Sequence, residues 1–372
     1  MSKTEQSKKD LREMYRTRAE GDLPTSISII LKYQDGRTKV FDYSQGLDLK
    51  YGTNPSQAAK FYEHQDGSGL LIRKIKDGKG GPSLTNVQDV FLGISISKYH
   101  YGYYTCIILK HEMPSGAALG HTLNEAFNNA WYSNPVSNWG GTVVFNSTLD
   151  SETANSVIKQ FVDVVAAPEI DNEAKKILDQ KTDMRVFEIS GIENLPKYSG
   201  DKPALQFRII EGTLFVEESP LTAIRTIDDL KSKVVTDAKP TTRQLVSMFE
   251  ALPVCMYARS NASVFWKNHH LTAIGCGQAS RIDTIKQGIA MNRYLNRKAR
   301  KEKTERTGYG IRGSIVVTDG FFPLPDNIEE CARAGVGAIL QPGGSKKDGE
   351  IIAAADKYGI PMIFGEERWF YH

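Results

Sequence analysis

Apolar positions along this chain change register several times, and the changes mark out its elements. Period-two runs SISIILKYQ and RTKVFDY flank Asp35-Gly36, which predicts a hairpin. The charged residues ahead of it, MSKTEQSKKDLREMYRTRAEGD, read as a helical lead. LKYGTNPSQAAKFYEH, broken by glycine and proline, reads as an ordered loop. YTCIILKH then reads as a buried strand leading into a Pro114-Ser115-Gly116 turn. Beyond it, Leu123, Ala126, Phe127, Ala130 and Trp131 recur at helical spacing, opened by Thr122 and Glu125 in capping-box register. SETANSVIKQF (Ala154, Val157, Ile158, Phe161) predicts another helix that runs into the strand VDVVAAP. NEAKKILDQK and RVFEIS follow as helix and strand, and this alternation predicts an α/β domain with a mainly parallel sheet.

From Tyr198 to about Lys239 the chain is irregular and polar, and it reads as a connector. The helix TTRQLVSMFEAL, the hairpin SVFWKNHHLTAIG and the helix RIDTIKQGIAMNRYL come next. Strands GSIVVTDG, GVGAILQPGG and IPMIFGEE, separated by helices DNIEECARA and GEIIAAADKYG, form a βαβαβ run whose crossovers should be right-handed. The predicted organisation is an extension over 1–48, a first domain over 49–197, a connector over 198–239 and a second domain over 240–372. Ligands of open α/β sheets bind beyond the carboxyl ends of the strands, which points to TDGFFPLPD, QPGGSKKD and GEERWFYH.

Composition removes several function classes. The net charge is +3, and the one dense basic run, Asn296–Arg306, interleaves acidic residues. That run reads as the solvated end of a helix, so no nucleic-acid partner is expected. No apolar stretch approaches the roughly 20 residues that span a bilayer, and the charged start is unlike a secretory signal. A cytoplasmic protein without a membrane partner is therefore expected. Cys106, Cys255, Cys276 and Cys331 lack metal-ligand spacing and are expected to be free thiols. No Gly-x-x-x-x-Gly-Lys-Ser/Thr loop supports ATP use.

Candidate chemistry begins with Lys110-His111 at the end of the apolar strand. Neighbours on a strand point to opposite faces, so both reach one ligand only where the backbone turns. A histidine there can serve as a general base and a lysine can stabilise developing negative charge. The same dipeptide also fits a strand running out into solvent. Other positions are equally two-sided. Phe321-Phe322 reads as core or as a stacking platform, Gly343-Gly344-Ser345 as a turn or an anion nest, and Arg368 as a surface ion pair or a phosphate ligand. Gly275-Cys276-Gly277-Gln278 reads as a helix start or as a place where a ligand approaches the backbone closely.

Taken in order, LKYGTNPSQAA, LKHEMPSGAALG, VDVVAAP, YARSNASVFW, AIGCGQASRID, VVTDGFFPLPDNIEECARAGVGAILQPGGS and ERWFYH resemble one family. It is the aminoimidazole-carboxamide ribonucleotide (AICAR) formyltransferase part of the bifunctional purine-synthesis enzyme that also carries inosine monophosphate cyclohydrolase. The resemblance runs from about Leu49 to His372 and has no counterpart for the cyclohydrolase domain, so it implies a stand-alone transformylase. The fold implied is α/β, a pair of cytidine-deaminase-like α/β/α domains with mixed, mostly parallel sheets and no zinc.

The reaction implied moves a formyl group from 10-formyltetrahydrofolate to the 5-amino group of AICAR. His111 matches the family's base, Lys110 its oxyanion partner, and Asn261 the residue that orients carboxamide and amine. Lys50, Tyr51, Gly140, Asp163, Arg281, Phe321 and Arg368 match nucleotide contacts. Ile282, Asp326, Ser345 and Lys346 match folate contacts. The resemblance also implies a homodimer with a shared site, no catalytic metal, and room for a potassium ion whose ligands it does not assign. Two positions depart from the pattern: Lys50 stands for the family's arginine, and Ser56 for the histidine of its Asn-Pro-His-Gln stretch. A non-catalytic relative that binds AICAR or folate is the alternative these changes leave open. A deaminase would need His-x-Glu and Pro-Cys-x-x-Cys, which are absent.

Overall fold

A computed structural model describes residues 13, 17–66, 69–100, 102–303, 306 and 308–372. Most of the predicted helical lead lies outside the described residues. In chain order the elements begin with β1 (Ser26–Lys32), β2 (Thr38–Gln45), β3 (Tyr62–His64), β4 (Leu71–Lys76) and helix α1 (Leu84–Ser97). Then come β5 (Tyr104–Leu109), β6 (Pro114–Gly120), α2 (Leu123–Ser133), β7 (Gly141–Phe145), α3 (Ser151–Val157), β8 (Val162–Ala167), α4 (Asn172–Asp179) and β9 (Arg185–Ser190). The rest are β10 (Leu205–Ile210), β11 (Thr213–Glu218), α5 (Ile227–Lys231), α6 (Thr242–Met256), β12 (Ser263–Lys267), β13 (His270–Gly275), α7 (Arg281–Glu302), β14 (Ile315–Thr318), α8 (Asp326–Ala334), β15 (Ala338–Gln341), α9 (Asp348–Lys357) and β16 (Met362–Phe364).

Two compact units emerge. The first comprises the described residues up to Ile94, with Ile108–Glu112 and Val136–Glu193; the second comprises Ser95–Ile107, Met113–Pro135 and Asn194–His372. Both are α/β, as the alternation predicts, but their sheets are mixed rather than mainly parallel. In the first unit β7, β8 and β9 run parallel, and β4 pairs antiparallel with β9. GTVVF and VDVVAA are almost continuous apolar runs, as expected for parallel strands covered on both faces. The predicted hairpin, β1–β2, pairs Ser26 with Ser44 and Lys32 with Thr38. The stretch read as a loop adds β3 to its edge.

In the second unit the strand order is β16-β15-β14-β12-β13-β6. β14, β15 and β16 are the parallel βαβαβ run, while β12 pairs antiparallel with both β14 and β13. Phe265, Ile285, Val316, Phe322, Ile339 and Ile351 form its buried centre. Gly275 ends β13 rather than opening a helix. A Cβ there would lie 1.9 Å from the Thr284 carbonyl, so the close approach serves the packing of α7.

Other sequence readings change as well. The segment read as irregular between 198 and 239 holds the regular hairpin β10–β11 and the short helix α5. Thr122 caps α2 by accepting from the Glu125 amide at 3.1 Å, but Glu125 reaches back to the His121 amide rather than closing the box on Thr122. The basic run is not uniformly solvated. Arg306 is buried and donates to the carbonyls of Tyr132 (3.1 Å) and Ser133 (2.8 Å) at the end of α2, where a cation complements the helix dipole. Burial lowers its guanidinium to about 10.

Candidate functional site

Residues Thr105 to Leu109 of β5 are fully buried, and the chain emerges at Lys110. The reversal does not occur at Pro114-Ser115-Gly116, which belong to the buried strand β6. It occurs at Lys110–Met113, where His111 and Glu112 both take φ of 57°. Left-handed backbone costs a non-glycine residue about 1–2 kcal/mol, so two in succession persist only where neighbours hold them. Two tethers flank His111. The Lys110 Nζ donates to the Trp139 carbonyl at 2.7 Å, and the Glu112 amide donates to Asp89 Oδ1 at 2.8 Å. His111 itself is exposed, and its ring makes no hydrogen bond or ion pair among the described residues. The turn thus fixes an ammonium and presents a free imidazole beside it.

Asp89, on α1, escapes sequence reasoning because its partners lie far along the chain. It is 5% exposed, accepts from Thr142 Oγ1 at 3.3 Å as well as from Glu112, and has no ion pair among the described residues. Burial, reinforced by the Glu112 carboxylate, outweighs those two bonds and raises its carboxyl from 3.8 to about 6. The folded chain therefore holds a proton that the unfolded chain has released between these values. Asp89 favours folding fully below pH 4 and loses that contribution as pH rises through 6. The displacement corresponds to roughly 3 kcal/mol. Asp89→Asn is accordingly expected to be more stable than the parent at pH 7 by up to about that amount, with the gap closing near pH 4. Urea denaturation at the two pH values measures this, and an equal difference at both would contradict it.

Elsewhere in the first unit, Lys50 is 2% exposed, and its Nζ donates to the Lys79 carbonyl at 2.9 Å while lying 5.1 Å from the Tyr51 ring centre. The same carbonyl accepts from Arg185 at 3.2 Å, and Arg185 also donates to the Gly81 carbonyl at 2.7 Å. Arg185 lies 3.9 Å from the half-exposed Asp163. Lys50, Arg185 and Asp163 are therefore linked around the 79–81 loop. Arg185 escapes sequence reasoning; its only signal is a cation opening the strand RVFEIS. Gly140 has φ of 70° and donates to the Phe161 carbonyl at 2.7 Å, beside the stacked rings of Trp139 and Phe161.

The second unit gathers Asn261 and Arg281 around a residue the sequence did not single out, Asp319. Arg281 donates to Asn261 Oδ1 at 2.6 Å, to the Ala262 carbonyl at 2.9 Å and to Asp319, which is fully buried at the end of β14. Asp319 also accepts from Ser260 Oγ and from the Ala262 amide at 2.9 Å. Both Asn261 amide hydrogens are engaged, by the Gln278 and Ala279 carbonyls at 2.8 and 3.1 Å. One lone pair of its oxygen is left.

Phe321 is exposed whereas Phe322 is core, and Arg368 is exposed with its guanidinium 4.7 Å from the Phe370 ring centre. Ile282 lies in the first turn of α7, Asp326 opens α8, and Ser345 and Lys346 lie between β15 and α9. No hydrogen bond joins these four among the described residues. The Gly344 and Ser345 amides, in the stretch read as a turn or an anion nest, donate to Asp348 at 2.7 and 3.1 Å.

Among the described residues no group of three His, Cys, Asp or Glu side chains is placed to hold a metal ion, and no helix is long and apolar enough to cross a membrane. A family model described as the AICARFT/IMPCHase bienzyme matches residues 4–292, a span that includes the Lys110-His111 turn and the Asn261–Arg281 pair and also reaches ahead of the first recognised motif. The chain belongs to this AICARFT/IMPCHase family of purine-biosynthesis enzymes.

Proposed function

We propose that the protein transfers the formyl group of 10-formyltetrahydrofolate to the 5-amino group of AICAR. The observation that carries this reading is the turn in which Lys110 is fixed by a carbonyl while His111 stands exposed and unbonded. An aromatic amine beside a carboxamide is a poor nucleophile, so its proton must leave as it attacks. His111 takes that proton as the amine nitrogen bonds to the formyl carbon. Lys110 faces the negative oxygen of the tetrahedral adduct, which collapses by breaking the bond to folate nitrogen, and that nitrogen is reprotonated. Asn261 contributes its remaining acceptor lone pair to a substrate N–H. Lys50, Tyr51, Gly140, Asp163, Arg281, Phe321 and Arg368 carry the nucleotide, and Ile282, Asp326, Ser345 and Lys346 carry the folate. A phosphate contact from Lys50 requires its Nζ to share or leave the Lys79 carbonyl.

Turnover decides the matter. With AICAR and 10-formyltetrahydrofolate, tetrahydrofolate should accumulate. Conversion of formyl-AICAR alone to inosine monophosphate, without formyl transfer, would assign the family's other activity instead.

The reading includes a homodimer, which the β10–β11 hairpin supports. Its register places Phe207, Ile209, Leu214 and Val216 on one face, and the last three are 72%, 54% and 49% exposed. An isolated two-stranded hairpin is marginal in water, and exposed apolar patches mark interfaces. Ile209→Lys combined with Leu214→Lys is expected to halve the mass measured by light scattering. An unchanged dimer mass would remove this face from the interface.

A further inference from the structure

We infer that Asp89 is a positioning residue for the formyl-transfer site, holding the Lys110–His111–Glu112 turn in its reactive shape through the Glu112 amide. The inference rests on the formyl-transfer reading of that turn. Three observations converge on it. His111 and Glu112 are consecutive non-glycine residues in left-handed backbone, a shape local sequence does not favour. Asp89 Oδ1 accepts the Glu112 amide at 2.8 Å, so the peptide just after His111 is pinned from the buried face of α1. One segment of chain then sets both tethers. Trp139 supplies the carbonyl for the Lys110 Nζ, and Thr142, three residues on, donates its hydroxyl to the other Asp89 oxygen.

The choice of a carboxylate is the informative part. A buried acid without an ion pair opposes folding, and an apolar side chain of similar volume would suit a helix face better. Glu112 is the charged group facing it from the turn, and Thr142 faces it from β7 without charge. No cation neutralises Asp89 among the described residues, so its carboxylate serves the turn rather than stability. An acceptor at this position is what the Glu112 amide needs. Asparagine supplies one without the charge; leucine supplies none.

Asp89→Leu and Asp89→Asn separate these roles. Asp89→Leu removes a buried charge but strands the Glu112 amide and the Thr142 hydroxyl, so the two effects oppose and its Tm should stay within about 5 °C of the parent. Its kcat should fall about a hundredfold, as expected when a catalytic group is misplaced by about 1 Å. Its KM for AICAR should stay within about threefold, since nucleotide contacts are untouched. Asp89→Asn should keep kcat within about fivefold of the parent, because its side-chain oxygen still accepts the amide. Hydrogen exchange of the Glu112 amide provides a readout independent of turnover, and should be at least about tenfold faster in Asp89→Leu than in Asp89→Asn. Parent-like turnover by Asp89→Leu, or equal Glu112 exchange in the two variants, would overturn the inference. Absence of turnover in the parent would instead sink the formyl-transfer reading, leaving the exchange comparison to decide what Asp89 holds.

Discussion

His111→Ala is expected to lower kcat for formyl transfer by at least about a hundredfold, the usual effect of removing a general base. The size follows from the chemistry of the acceptor. Its amine lone pair is delocalised into the imidazole ring, and an attack that keeps the proton would pass through a cationic nitrogen next to an electron-poor carbon. His111 is exposed and unbonded, so the substitution removes no packing and strands no partner. Tm should therefore stay within about 2 °C, as for surface substitutions away from structural features. Equilibrium binding of AICAR should hold within a few-fold. Rapid-quench measurement of tetrahydrofolate formation, with AICAR binding by calorimetry, tests all three together. Parent-like turnover by His111→Ala would remove the base assignment, while a parallel loss of AICAR binding would make His111 a binding residue.

How much of this was legible before the fold was known differs between elements. β5 and the βαβαβ run are legible because buried strands are nearly continuous apolar runs, and the strands of the latter also end in glycine-rich loops. The turn after β5 was misplaced for a definite reason. Pro-Ser-Gly has turn chemistry, yet these residues are strand, while the left-handed positions fall on His111 and Glu112. Local propensity lost there to a tether from Asp89, which lies 23 residues earlier. The β10–β11 hairpin was hidden differently: Arg208, Glu217 and Glu218 make the segment look polar although its alternate positions are apolar. Arg185 and Asp319 share one kind of invisibility. Each is a charge at one end of a buried strand, and its meaning lies in carbonyls and guanidinium groups brought to it by tertiary structure.

Asp319 carries the second large effect. It is fully buried and accepts from three donors: the Arg281 guanidinium, the Ser260 hydroxyl and the Ala262 amide. Asp319→Ala leaves Arg281, itself only 6% exposed, without its counter-charge. Breaking a buried pair by removing one partner costs about 3–5 kcal/mol, far more than the net worth of the intact pair, because the remaining charge stays desolvated. At roughly 2–4 °C per kcal/mol for a unit of this size, Tm should drop by about 6–20 °C. The origin can be checked by removing the other charge as well. Arg281→Met in the Asp319→Ala background should recover part of the lost stability, since the buried charge is gone. A drop below about 2 °C for the single variant, or a double variant no better than the single, would show that water reaches Arg281 and that the pair is not closed. Because Arg281 also fixes Asn261 Oδ1, the single variant should lose formyl transfer even at temperatures where it remains folded, which ties the stability of this network to the orientation of the residue proposed to hold the substrate amine.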